Sequence, residues 1–185
     1  MSLGEDRLSV RSAGLLEAPL LAAMQAACFA ETAVYRSTGS DPVGDPDRGD
    51  SVRIHAGGEP SAWGESAFAS LLSGPGCFAL IALCDGEPAG FALARQAADE
   101  CELLSLGVLP ARRRLGVGRA LLSAVCEQAM ANGVRHIYLE VAADNCAGRA
   151  LYQALGFVPR AWRKNYYRKP GEAAIDAAVL VRNLF

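Results

Sequence analysis

The chain has 185 residues, 51% of them hydrophobic and 21% charged, with a formal net charge of −2. That length suits one compact α/β domain with a core of its own, so 1–185 reads as a single domain. The composition argues against disorder, and the charge offers no global attraction for nucleic acid or an anionic membrane. No run of about 18 apolar residues suggests a membrane helix. The start, Met1-Ser2-Leu3-Gly4-Glu5-Asp6, lacks the basic-then-apolar order of a secretory signal, so a cytoplasmic protein is expected. Cys28, Cys77, Cys84, Cys101, Cys126 and Cys146 lie inside apolar runs with no Cys-x-x-Cys pair, which reads as buried, reduced thiols. His55 and His136 have no ligand-like spacing, and no metal is expected.

In chain order, residues 8–12 alternate as a short strand, with Leu8 and Val10 apolar. Pro19 suits the first turn of a helix, and Leu20, Leu21, Met24 and Cys28 recur at helical spacing to about Phe29. Residues 32–61 are rich in Gly, Pro and Asp and too long for an ordinary connection, so they read as a flexible insert between the first two helices. A short helix follows at 65–72. Residues 77–84 and 88–95 are strands joined by Asp85-Gly86, a strong hairpin signal. Residues 102–109 form another strand, ended by Pro110. A helix over 116–131 has Arg119, Ser123 and Glu127 on its wet face and Leu122, Val125 and Ala129 on its buried one. Ile137, Leu139 and Val141 alternate with His136, Tyr138 and Glu140 as a strand. Asp144 or Asn145 caps a last helix ending at Gly156, and two strands fit 157–168 and 174–184.

The most informative stretch is Pro110-Ala111-Arg112-Arg113-Arg114-Leu115-Gly116-Val117-Gly118-Arg119, between a strand and an amphipathic helix. Its glycines let the backbone approach a ligand, the helix N-terminus adds about half a positive charge, and arginines flank it. Together these describe a diphosphate site. A Rossmann site would want a third glycine where Leu121 stands, and a Walker loop would want Gly-Lys-Ser/Thr. A solvated basic turn, binding nucleic acid or nothing, is the remaining reading.

Arg113-x-x-Gly116-x-Gly118 resembles the Arg/Gln-x-x-Gly-x-Gly/Ala signature of the GNAT acetyltransferases, whose loop cradles the coenzyme A diphosphate. The flanks extend the match: Glu102-Leu103-Leu104-Ser105-Leu106-Gly107-Val108 before it, and Tyr138-Leu139-Glu140-Val141, Asn145, Ala150-Leu151-Tyr152 and Asn165-Tyr166-Tyr167 after it. The combination is similar to the RimI-like branch, which acetylates the N-terminal alanine of a ribosomal protein. The resemblance implies an α/β (α+β) GNAT fold: a mixed, twisted sheet of six to seven strands with about four helices, opening in a V between its central strands. It implies acetyl-CoA as co-substrate, held by Leu106, Gly107, Val108, Arg113, Arg114, Leu115, Gly116, Val117, Gly118 and Arg119, with Asn145 capping its helix, binding the coenzyme, or both.

The reaction needs a neutral amine. A free α-amine titrates near ~8 and a lysine amine near ~10.4, so at neutral pH the lysine costs about 3 kcal/mol more to deprotonate. An α-amine needs only a modest base. The resemblance puts that base at Glu140, with Glu102 as the alternative base or as the group that orients the acceptor. It makes Tyr152 the acid that protonates the departing thiolate and a neighbour of the coenzyme. By helical spacing Tyr152 shares a face with Gly148, which leaves room for a ligand, while Ala147, Leu151 and Ala154 turn towards the core. The expected acceptor is a protein N-terminus. A small amine (polyamine, amino acid or aminoglycoside) is the second reading and a non-catalytic acyl-CoA-binding regulator the third. The long insert departs from the family pattern and bears on acceptor identity alone.

Overall fold

The computed structural model describes residues 8–30, 35–36, 63–168 and 173–185. Among these, one mixed sheet contains strands β1 (Leu8–Ala13), β2 (Tyr35–Arg36), β3 (Cys77–Cys84), β4 (Glu87–Ala97), β5 (Glu100–Val108), β6 (His136–Ala142), β7 (Val158–Arg168) and β8 (Ile175–Asn183). Their order is β1-β3-β4-β5-β6-β8-β7-β2, so seven long strands are flanked by a two-residue one. The helices are α1 (Ala18–Phe29), α2 (Glu65–Ser73), α3 (Val117–Ala131) and α4 (Cys146–Ala154). The expected GNAT architecture is therefore present. The insert foreseen over 32–61 lies outside the described residues, apart from Tyr35–Arg36, which pairs with the end of β7.

Local chemistry accounts for the elements. Asp85 and Gly86 both have positive φ, 53° and 83°, the type I′ geometry whose twist matches the strands it joins. Pro19 stands in the first turn of α1, where its missing N–H costs no hydrogen bond. β3 and β4 are apolar on both faces because both faces are covered. Leu80, Ala82 and Cys84 join the core under α3, with Leu121, Leu122 and Val125. Ala79, Ile81, Phe91 and Leu93 join a second core under α1 and α2, with Leu21, Met24 and Phe68. Phe91 is fully buried, and cutting such a side chain to alanine costs about 3–5 kcal/mol.

All strand neighbours run antiparallel except β5 and β6, which are parallel and central. The strand-to-strand crossover between them is α3, which places the N-terminus of that helix at the C-terminal ends of both strands.

Candidate active site

The β5–β6 ladder runs from Glu100↔His136 to Leu103↔Leu139 and stops there, although β5 continues to Val108 and β6 to Ala142. On its other side β5 pairs Leu103 with Ala94 and Ser105 with Leu93, so Leu104 is an extra residue. A bulge of this kind bends its strand and sharpens the local twist. Leu104 packs in the α1–α2 core, while Leu106 and Val108 pack beside α3. Ser105 also faces α1 and donates its hydroxyl to the buried Gln25 Oε1 at 3.1 Å. Past the bulge, β5 has main-chain groups on the β6 side that find no partner in β6, and the two strands diverge. This is the V-shaped opening expected between the central strands.

The floor of the opening is the start of α3. Pro110–Arg112 forms one 3₁₀ turn, then Arg114 and Gly116 take positive φ, 67° and 81°. Gly116 is the residue before the helix, where glycine adopts that φ without strain. The first bond into the helix runs from the Ala120 N–H to the Gly116 carbonyl at 3.0 Å, so the amides of Val117, Gly118 and Arg119 precede it. No side chain among the described residues caps them. Uncapped amides at the positive end of a fifteen-residue helix fit a diphosphate. A Cβ on Gly118 would lie 3.1 Å from Leu151 Cδ2, 3.6 Å from Val108 Cγ2 and 3.9 Å from Leu106 Cδ2, so the missing side chain lets these residues approach the helix start closely. A Cβ on Gly107 would strike the Phe91 ring at 2.6 Å and Cys28 at 3.0 Å, which explains the small residue there by packing.

Arg113 does something the sequence reading missed. Its Nη2 donates to the Cys28 carbonyl at 3.0 Å and its Nε to the Val108 carbonyl at 3.3 Å. The guanidinium thus ties the loop to the last turn of α1 and the end of β5. Arg114, Leu115 and Arg119 are exposed around the loop.

Glu140 is the first β6 residue beyond the ladder, at the mouth of the opening. Its side chain is 14% exposed. Its Oε1 pairs with Arg163 Nε of β7 at 2.9 Å. Its Oε2 is buried and has no hydrogen-bond partner among the described residues. A buried carboxylate oxygen without a donor costs free energy unless something supplies one. Glu102 sits lower, within the paired part of the ladder opposite Tyr138, 47% exposed and 3.1 Å from Arg95.

Tyr152 of α4 is buried, edge-on to Phe157 at 6.0 Å between ring centroids. Burial, helped by the nearby Tyr167, pushes its phenol up to about 12, so it keeps its proton at neutral pH. Asn145 caps α4 by accepting the Gly148 N–H at 2.8 Å. Two features of α4 differ from the expectation. Gly148 leaves room for the Asn145 cap and not for a ligand, since a Cβ there would lie 2.9–3.0 Å from the Asn145 side chain. Ala147 and Ala154 are exposed, because this nine-residue helix turns only Tyr152 and part of Leu151 inward.

The thiols also divide. Cys28, Cys84, Cys101 and Cys126 are buried as expected, but Cys77 is partly exposed and Cys146 exposed. Burial raises Cys28 to about 11 and Cys101 to about 12, which keeps both as unreactive thiols. Among the described residues no group of three or more His, Cys, Asp or Glu is placed to hold a metal, and no helix is long and apolar enough to cross a membrane.

Residues 50–157, more than half of the chain and all of the opening, match the family model described as Acetyltransferase (GNAT) family. The chain belongs to the GNAT family of acetyltransferases. It is an acetyl-CoA-dependent N-acetyltransferase. Among its relatives is the [ribosomal protein bS18]-alanine N-acetyltransferase of Escherichia coli K12, 38% identical over 105 residues, 57% of this chain and 70% of that protein. The N-alpha-acetyltransferase RimI of Mycobacterium tuberculosis is 36% identical over 127 residues, 66% of this chain and 77% of that one. The crystal structure of the E. coli S18-alanine enzyme superposes with a TM-score of 0.71 at 25% identity, covering 96% of this chain and 94% of the other. The PaiA N-acetyltransferase of Thermoplasma acidophilum in complex with coenzyme A shares the fold at a TM-score of 0.65 and 14% identity, covering 96% and 99%.

Proposed function

We propose that this GNAT enzyme acetylates a protein N-terminal α-amine, and that its acceptor is an N-terminal alanine of a ribosomal protein. The single observation that carries the chemistry is the unpartnered, buried Oε2 of Glu140 at the mouth of the β5–β6 opening. An α-amine asks little of a base, and one carboxylate oxygen beside the acceptor suffices. The names of the two relatives above, a ribosomal-protein-alanine N-acetyltransferase and an N-alpha-acetyltransferase, support the acceptor class.

In this reading the amides of Val117, Gly118 and Arg119 hold the coenzyme diphosphate, with Leu115 and Arg114 beside it. The main chain of Leu106, Gly107 and Val108, unpaired towards β6, binds the pantetheine arm. Bound acetyl-CoA supplies the thioester carbonyl. Glu140 Oε2 takes the proton of the attacking amine. The Tyr152 hydroxyl gives its proton to the departing sulfur and regains one from solvent. A nitrogen–carbon bond replaces the carbon–sulfur bond. Glu102 lies along the same strand face and helps orient the acceptor amine. No metal enters this scheme. The chain 1–185 acts as one domain.

A panel assay tests the acceptor. Thiol release from acetyl-CoA is followed with an Ala-started peptide of the bS18 type, the same peptide with a blocked α-amine, spermidine, and free amino acids. The unblocked peptide is expected to give the highest kcat/KM. A small amine turning over faster would overturn the acceptor assignment and leave the family untouched.

A further inference from the structure

We infer that Arg163 is a positioning residue for the reaction: it holds one oxygen of Glu140 so that the other faces the acceptor amine. The inference rests on the reading of Glu140 as base. Arg163 stands on β7, two strands away from Glu140, with β8 between them. Register brings them to one face of the sheet. Glu140 is opposite Val179 of β8 and Val179 is opposite Ala161 of β7, two residues from Arg163. The guanidinium Nε then reaches Glu140 Oε1 at 2.9 Å.

Arg163 is itself held. Its Cζ lies 5.2 Å from the centre of the Tyr166 ring. A kink in β7 accompanies that stacking. The β7–β8 register shifts between Arg163 and Tyr167, and Asn165 has a φ of 53°. Asp176 pins this kink from β8, accepting the Asn165 N–H at 2.9 Å and Lys164 Nζ at 2.7 Å. The chain Asp176, kinked β7, Tyr166, Arg163 therefore ends on Oε1 and fixes the carboxylate rotamer. A carboxylate held through one oxygen presents the other in a defined direction, and such pre-set geometry lowers the cost of reaching the transition state. Arg163 is half-exposed while Glu140 is nearly buried, so the guanidinium both compensates the buried carboxylate and sets its direction, and the two roles separate in kcat against melting temperature.

A double-mutant cycle tests this. Arg163→Met, Arg163→Lys, Glu140→Gln and the double variant Glu140→Gln/Arg163→Met are compared for kcat and for KM of acetyl-CoA, with melting temperature as the folding control. Arg163→Met is expected to lower kcat about tenfold with KM for acetyl-CoA unchanged. Arg163→Lys, which keeps a charged donor, is expected to restore part of the loss. In the Glu140→Gln background the Met substitution is expected to add no further loss, because Arg163 acts only through that carboxylate. An undiminished tenfold loss in that background would show that Arg163 acts independently of Glu140 and would overturn the inference. Should Arg163→Met not fold, Arg163→Gln takes its place in the cycle. Full kcat in Glu140→Gln alone refutes the base assignment itself, a separate failure from that of Arg163.

Discussion

Arg113 Nη2 donates to the Cys28 carbonyl at 3.0 Å, joining the coenzyme loop to the last turn of α1. Cys28 in turn packs where a side chain on Gly107 would stand, so one contact region includes the phosphate loop, α1 and β5. Arg113→Ala is expected to cost about 1.5–3 kcal/mol of stability, as for other hydrogen bonds to a charged group, and to weaken acetyl-CoA binding by loosening the loop. A direct ion pair to phosphate would weaken with salt. The structural tie predicts instead that the ratio of mutant to wild-type affinity stays constant between low and moderate ionic strength. Calorimetric titration at two salt concentrations distinguishes the two.

Gly118 separates two outcomes of adding a side chain. Alanine there meets Leu151 Cδ2 at 3.1 Å, a contact a leucine tip can relieve, so Gly118→Ala is expected to fold and to bind coenzyme more weakly. Gly118→Asp adds a negative charge at the helix end meant for an anion. It is expected to abolish the rise in melting temperature that acetyl-CoA gives the wild type by binding the folded state. A normal thermal shift in folded Gly118→Asp would remove the diphosphate from this loop.

Tyr152 gives a prediction in pH. Its phenol titrates at about 12 in the folded protein against 10.0 for the ordinary side chain. Between those values the unfolded chain has released a proton that the folded chain keeps. Stability is therefore present in full below pH 10 and falls as pH rises towards 12. Tyr152→Phe is expected to flatten that alkaline decline in urea unfolding followed from pH 9 towards pH 12. The same variant is expected to lose most of kcat at pH 7.5 while binding acetyl-CoA nearly as before. An unchanged alkaline slope would mean that the hydroxyl is not desolvated in solution.

Much of this was legible in the residues. Alternation marked β6, Asp85-Gly86 marked the hairpin, and the Gly116-Val117-Gly118 spacing marked the helix start, because each depends on local backbone chemistry. What escaped were side chains whose meaning comes from distant partners. Arg113 read as a phosphate ligand because nothing nearby in sequence announces the Cys28 carbonyl 85 residues away. Arg163 is one arginine in a polar strand until the register of β6, β8 and β7 sets it beside Glu140. The bulge at Leu104 went unread too, although the adjacent Leu103 and Leu104 shift the two-residue alternation there. Gly148 misled because a missing side chain looks the same whether a ligand or a neighbouring cap fills the space.

The most direct measurement is the position of the acetyl group on a peptide carrying one N-terminal alanine and one internal lysine, mapped by fragmentation mass spectrometry after a limited reaction at pH 7.5. Glu140 as a modest base and the lower pKa of an α-amine predict a single acetyl on the alanine nitrogen, with the lysine unmodified. Acetylation of the lysine Nζ ahead of the N-terminus would contradict the account.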